Sequence, residues 1–376
     1  MRDPGESLGK TNAVDLAKLF PPDRSGSANG AVHPGGLARG DLPKLFWRTH
    51  ERSPRFLGVS DDSQLLYAAD VVTGISALRT ADATPVWTLP SGINGVVGPN
   101  EFYALSDRNG TTILQRTNSA GEIAWRFTAT GAKSVVRAPN GTLYVSGGYL
   151  WAINENGGLV WRMELQDSYP GMPELSADGK TLYLVSTTHV FAVDTEKVRL
   201  RWRVDNPCRS LFPECRPRPL ADGKVAIESV EPDKTEPQTL RTGLQYQLRV
   251  LDAQGKTLWA RDDRSTTEYV VPPAASLLVL RTNFGLEFVD ASGKAGRKEP
   301  GRWGSLGVTR QPGVFFACSL DGLTGFASDG RQELNIGNDK LEGTMCSGVS
   351  DGRGDLLFLE SRDIYDRYSL WSVRFP

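Results

Sequence analysis

Histidine is scarce in this 376-residue chain, which holds only His33, His50 and His189. General acid–base catalysis and zinc binding draw on histidine more than on any other side chain, so both lose their usual raw material. The four cysteines, Cys208, Cys215, Cys318 and Cys346, form no CxxC pair, and no histidine stands near them in sequence. Walker A and G-x-G-x-x-G spacings are absent, which removes the usual phosphate cradles. No apolar run is long enough for a membrane-spanning helix. Residues 1–7, MRDPGES, show no apolar h-region and so no visible secretion signal, although a mature chain with an added Met1 would read the same way. Charge of one sign is also missing: 43 basic against 44 acidic residues leave −1. A whole-molecule electrostatic drive toward nucleic acid or an anionic membrane is therefore excluded.

What is present is turn chemistry and tryptophan. The chain has 40 Gly, 23 Pro and 9 Trp, with 39% hydrophobic and 23% charged residues. Gly and Pro interrupt helices and furnish turns, so these totals favour a β protein. At ~150 residues per domain the length suggests two or three domains, until the internal repeat is noticed. Apolar-aromatic segments recur as LLYAAD (65–70), EFYALS (101–106), TLYVSG (142–147), TLYLVS (181–186), LLVLRT (277–282), FFACSL (315–320) and LLFLES (356–361), with KVAIES (224–229) as an eighth. A tryptophan series, Trp47, Trp87, Trp125, Trp161 and Trp202, keeps a spacing of about 40 residues. Trp259 follows after a longer step, across a polar stretch that looks inserted.

The clearest copy is GTLYVSGGYLWAINENGGLVWRMEL (141–165). It reads as three short strands separated by Gly-rich hairpin turns, because Asn-Gly and Gly-Gly reach positive φ cheaply. No helical stripe longer than about ten residues appears, a short helix at 14–19 being the one helical expectation. A period near 40 with four short strands is a propeller blade, and blades bury both faces only by stacking. The expected fold is all-β: an eight-bladed β-propeller of four-stranded antiparallel blades. The segment 42–49, LPKLFWRT, is expected to pair with the C-terminal blade and close the ring, hiding two sheet edges. A seven-bladed ring follows if one weak repeat is a misreading. Residues 1–40, rich in Gly, Ser, Ala and Pro, read as a disordered tail, and 41–376 as one domain with insertions at 206–219 and 231–242.

The segments LYVSGGYLWAINENGGLVW (143–161) and LYLVSTTHVFAVDTEKVRLRW (182–202) resemble the pyrroloquinoline-quinone-like repeat. That resemblance implies an eight-bladed propeller in which each Trp docks one blade onto the next: Trp47, Trp87, Trp125, Trp161, Trp202 and Trp259. The quinoprotein dehydrogenases of that family carry a vicinal Cys-Cys disulfide and a Ca²⁺ site. This chain has no Cys-Cys dipeptide and is much shorter. Its character is nearer the non-enzymatic members, such as the propeller lipoprotein of the outer-membrane protein assembly machinery. No catalytic residue, cofactor or metal is expected.

Within the repeat, His189 reads as an exposed hairpin-turn residue. The alternating arginines Arg199, Arg201 and Arg203, with Arg209, Arg216 and Arg218 beyond, form one basic cluster. Lys294, Arg297, Lys298 and Arg302 form another. Both read as a solvated rim. The best interaction candidate is the loop NPCRSLFPECRPRP (206–219), where Arg209, Leu211, Phe212 and Arg216 offer hot-spot composition. Cys208 and Cys215 suit a loop-closing disulfide, which would place the protein outside the cytoplasm. Pairing of Cys318 with Cys346 is left open.

The expected function is a monomeric, non-enzymatic scaffold that binds protein partners, in the periplasm or cell envelope of a bacterium. The missing signal peptide leaves the cytoplasm open. Two alternatives stand beside it. One is a ligand-, quinone- or metal-binding propeller that uses its central funnel. The other is an intracellular propeller binding nucleic acid or a stress-response partner through the Arg-rich patches.

Overall fold

The computed structural model describes residues 44–49 and 55–374 apart from short internal segments, of which 207–216 and 233–243 are the longest. All of these residues fall in one compact unit, Leu37–Pro376. The tail 1–40 lies outside the described residues.

Among the described residues there is no α-helix, and the strands assemble into eight four-stranded antiparallel sheets. In chain order, sheets 1 to 7 span 55–89, 92–128, 134–163, 174–205, 217–262, 266–300 and 303–337. In each, strand follows strand as a meander from first to fourth. Sheet 8 takes three strands from 345–374, and its fourth place is filled by Lys44–Thr49, paired antiparallel to Tyr368–Arg374. The first strands converge: Met345–Ser350 of sheet 8 lies against Trp303–Val308 of sheet 7 on one side and Arg55–Val59 of sheet 1 on the other. This is the sheet stacking of a β-propeller.

Sequence explains the strands locally. In sheet 3, Leu143–Ser146, Leu150–Ile153 and Leu159–Met163 follow the three strands read from the sequence, and Ser134–Arg137 adds a first strand. The second and third strands are buried at every residue, whereas the fourth is largely exposed. Alternate residues pack into different neighbours, as period-two geometry demands. Leu143 and Val145 join a core with Tyr103, Leu105 and Leu114 of sheet 2. Tyr144 and Ala152 join one with Leu182, Leu184 and Phe191 of sheet 4. Each large side chain buried this way contributes roughly 1.5–3 kcal/mol.

The turn before the fourth strand repeats one device in sheets 2, 3, 5 and 6. An Asp or Asn side chain accepts two backbone N–H groups, as Asn154 Oδ1 does from Asn156 (3.0 Å) and Gly158 (2.9 Å). Asn118, Asp252 and Asp290 do the same. These are Asx turns, and the third residue after each Asx takes positive φ, hence Gly121, Gly157, Gly255 and Gly293. Sheet 4 departs from the pattern. Its turn, DTEKV, has no glycine, and the β-branched Val198 takes φ 51° instead.

Both expected insertions narrow. Asn206 is buried and hydrogen-bonded, and Pro217–Pro219 is the first strand of sheet 5. Two prolines two residues apart place both missing N–H groups on one side, which an edge strand tolerates. Glu231 and Pro232 belong to the ladder too, pairing with Gln245 and Leu244.

Candidate functional site

The sequence reading placed its best interaction candidate between sheets 4 and 5. Arg209, Leu211, Phe212, Arg216, Cys208 and Cys215 lie outside the described residues; the root of that loop does not. Its two ends are Asp205, the last residue of the fourth strand of sheet 4, and Pro217. Antiparallel pairing places Asp205 opposite His189, at the hairpin end of sheet 4. The 233–243 interval continues the strand pair Val225–Pro232 and Leu244–Leu251. It leaves from the corresponding hairpin end of sheet 5, so both long connections depart from the same side of adjacent sheets.

A polar network fixes the loop root. Asp167, just beyond sheet 3, turns Oδ2 toward the hairpin of sheet 4. There it accepts from Ser186 Oγ (2.5 Å), Thr188 Oγ1 (2.5 Å) and His189 Nδ1 (2.9 Å). Asn206 donates Nδ2 to the Ser186 carbonyl (2.6 Å) and its backbone N–H to that of Thr188 (2.8 Å). The loop therefore begins from a residue held at two points. A carboxylate only accepts, so His189 Nδ1 is the donor to Asp167. Nε2 faces the exposed Asp205 carboxylate at 3.9 Å. His189 is thus a half-buried organiser of the loop root and not the free turn residue read from the sequence. Asp167, twenty-two residues upstream, is a partner that no local motif could reveal.

The basic cluster read along the chain separates in space. Arg199, Arg201 and Arg203 are exposed on the outer strand of sheet 4, where Arg201 reaches Asp194 (3.2 Å). Arg218 sits on a first strand and faces Glu174 of the neighbouring sheet at 3.5 Å. Further round the first strands, Glu268 accepts from Arg281 Nε (3.0 Å) and from the Leu306 N–H (3.2 Å). Burial pushes the Glu268 carboxyl up, against the pull of Arg281. In the second cluster, Arg297 pairs with Glu299 (2.7 Å) and Lys298 faces Glu287 (3.7 Å).

The tryptophans join neighbouring sheets. Trp125 Nε1 donates to the Glu155 carbonyl (2.8 Å), Trp202 Nε1 to Ala253 (3.0 Å) and Trp259 Nε1 to Ala291 (3.2 Å), each in the Asx turn of the next sheet. The turn glycine lies under the indole: a Cβ on Gly157 would sit 2.7 Å from Trp125. Trp87 lies over Gly121 in the same manner, and Trp161 packs into the core shared with sheet 4. Within each sheet the indole meets the tyrosine of the repeat, with centroids 5.7–6.0 Å apart from Tyr67–Trp87 to Tyr183–Trp202. The Trp47 side chain lies outside the described residues. Trp303, outside the series, packs edge-on against Phe326 at 5.6 Å in the first strand of sheet 7.

The string G-x-S-x-G escaped the sequence reading and occurs twice, as Gly5-Glu6-Ser7-Leu8-Gly9, which lies outside the described residues, and as Gly348-Val349-Ser350-Asp351-Gly352. Ser350 ends the first strand of sheet 8, paired with Leu357 in a β ladder. A nucleophile elbow needs a strand-to-helix turn after its serine, and Asp351 and Gly352 lie outside the described residues. Among the described residues no group of three or more His, Cys, Asp or Glu could hold a metal ion, and no helix is long and apolar enough to cross a membrane.

Comparison with known proteins bears on the repeat directly. The family described as outer membrane protein assembly factor BamB matches residues 109–261 and 146–295. Over residues 109–295 the chain is similar to the pyrroloquinoline-quinone-like repeat β-propellers. Its solved neighbours share little sequence. BamB from Moraxella catarrhalis is 12% identical, with a TM-score of 0.49 over 84% of this chain and 82% of that one. A protein of unknown function from Bacteroides caccae is 16% identical, with a TM-score of 0.39 over 57% of this chain and 84% of that one. None of the curated proteins compared matches the chain.

Proposed function

We propose that this propeller is a non-enzymatic scaffold of the bacterial cell envelope that docks a protein partner on the side where 207–216 and 233–243 emerge. The observation carrying the proposal is the built root of the first loop. Asp167, Ser186, Thr188, His189 and Asn206 make five hydrogen bonds that anchor the start of the loop. An anchored loop loses less entropy on docking, and Leu211 and Phe212 beside Arg209 and Arg216 are the residue types that dominate interface energies. A Cys208–Cys215 bridge closes the same loop. The match to the BamB family supports protein partners and an envelope setting.

On this reading the eight sheets are eight blades of one closed ring, 41–376, with Lys44–Thr49 as the closing strand, and 1–40 is a tail. Pairing of Lys44–Thr49 with Tyr368–Arg374 and contact of sheet 8 with sheet 1 support it. The blade-docking role of Trp47, Trp87, Trp125, Trp161, Trp202 and Trp259 belongs to the same proposal.

The test is affinity capture from envelope extract with the full chain, followed by binding titration of the identified partner. Leu211→Asp with Phe212→Asp is expected to weaken binding ~100-fold without lowering Tm, since each hot-spot residue carries about 2 kcal/mol or more. Undiminished binding by that variant would remove the loop from the interface.

A further inference from the structure

Cys318 lies in the second strand of sheet 7, Val314–Ser319, is 3% exposed and is disulfide-bonded. Its partner is one of Cys208, Cys215 and Cys346. Strand alternation decides which way the sulfur points. Phe315 and Ala317 pack in one core with Val270, Val279, Leu286 and Phe288 of sheet 6. Successive side chains on a strand point to opposite faces. Cys318, next to Ala317, therefore turns away from sheet 6 and toward sheet 8.

The first strand of sheet 8 is Met345–Ser350, which contains Cys346. It approaches Val314–Ser319 within 8 Å between Cα atoms. Disulfides need Cα atoms roughly 4.4–6.8 Å apart, a distance that two strands of neighbouring sheets reach only where the sheets converge. Cys208 and Cys215 lie in the connection between sheets 4 and 5 and are close in sequence, which leaves them for each other.

We propose that Cys318 and Cys346 form a disulfide that covalently joins sheets 7 and 8. The bond sits beside the place where the two halves of the repeat array meet, because sheet 8 holds both the C-terminal strands and Lys44–Thr49. An inter-sheet cross-link adds a covalent hold on sheet 8 to its packing against sheets 7 and 1, independently of the ladder between Lys44–Thr49 and Tyr368–Arg374.

Formation proceeds by exchange with a disulfide donor. One cysteine thiolate attacks a donor sulfur, breaking the donor S–S bond and releasing one donor thiol as a mixed disulfide forms. The second thiolate displaces the remaining donor thiol. Two protons and two electrons pass from the protein thiols to the donor, which leaves as two thiols. The bond persists in an oxidising compartment and is lost in a reducing one. This inference stands whether or not a partner docks on 206–219.

The experiment uses the full chain purified without reductant. Trypsin should release 311–331, carrying Cys318, linked to 341–353, carrying Cys346. The Cys208→Ser, Cys215→Ser double variant should show no titratable thiol in denaturant. Adding reductant to that variant should lower Tm by about 5–10 °C, and Cys346→Ser in the same background should abolish the reductant effect. A crosslink from 311–331 to 204–209 or 210–224, or two free thiols in the double variant, would overturn the proposal. So would a reductant-induced shift that survives Cys346→Ser.

Discussion

At the residue scale, the fourth-strand tryptophans and the glycines beneath them carry the most specific constraint. Gly157 needs both its φ of 82° and its missing Cβ, because Trp125 occupies that space. Gly157→Ala should cost about 2–4 kcal/mol in urea unfolding, from the left-handed backbone plus overpacking. Gly148→Ala is the control: nothing lies within 4 Å of a Cβ there, and its effect should stay below ~0.5 kcal/mol. Val198 is the converse case. It bears the left-handed penalty that glycine escapes in the equivalent turns. Val198→Gly should therefore raise stability by about 0.5–1 kcal/mol, the steric relief outweighing the extra freedom of the unfolded chain. The Trp and Gly positions were legible in the sequence. The strain at Val198 was not, because sheet 4 lengthens its turn and disguises the register.

At the element scale, titration reports on the turns and the second strands. Asp194 is held below its ordinary value of 3.8, first by the Lys197 backbone N–H, and Asp290 likewise, first by the Ser292 hydroxyl. Asp82, Asp178 and Asp329 follow. A carboxylate with a depressed folded pKa adds stability above its unfolded value and loses it as pH falls through the folded one. Acid unfolding should therefore steepen below about pH 3.8, and Asp290→Asn, which keeps the acceptor, should flatten it. At the other extreme, burial pushes Tyr103 and Tyr183 up to about 12 from 10.0, with the Glu101 hydrogen bond adding to the rise at Tyr103. Their contribution is complete below pH 10 and lost as pH rises toward 12, so Tm measured across that window should fall. Tyr183→Phe gives up the hydroxyl's hydrogen bonds to the Gly223 carbonyl and the Thr181 side chain and should reduce that alkaline loss.

At the scale of the whole molecule, a sheet array is only as stable as its seam. Sheet 8 is completed by Lys44–Thr49, a segment more than 300 residues from the strand it pairs with. A chain beginning after residue 50 exposes the edge of Tyr368–Arg374. It should show a lower Tm and concentration-dependent association in light scattering, whereas a chain beginning after residue 36 should match the full length. This expectation belongs to the closed-ring proposal, and equal behaviour of the two truncations would count against it.

The sequence by itself determined the repeat, its period, its strand order and the tryptophan series, because each depends on local alternation and turn chemistry that recur about every 40 residues. It also marked 206–219 as irregular, since CRSLFPEC breaks the period. Only the tertiary structure decided what the period leaves free. It brought Asp167 to His189 and turned a residue read as an exposed turn into a loop anchor. It moved Arg218 away from Arg199, Arg201 and Arg203, and it turned Cys318 toward sheet 8. A repeating pattern fixes which residues face a neighbouring sheet. Which residue of that neighbour they meet depends on how the sheets stack, and no local spacing encodes that.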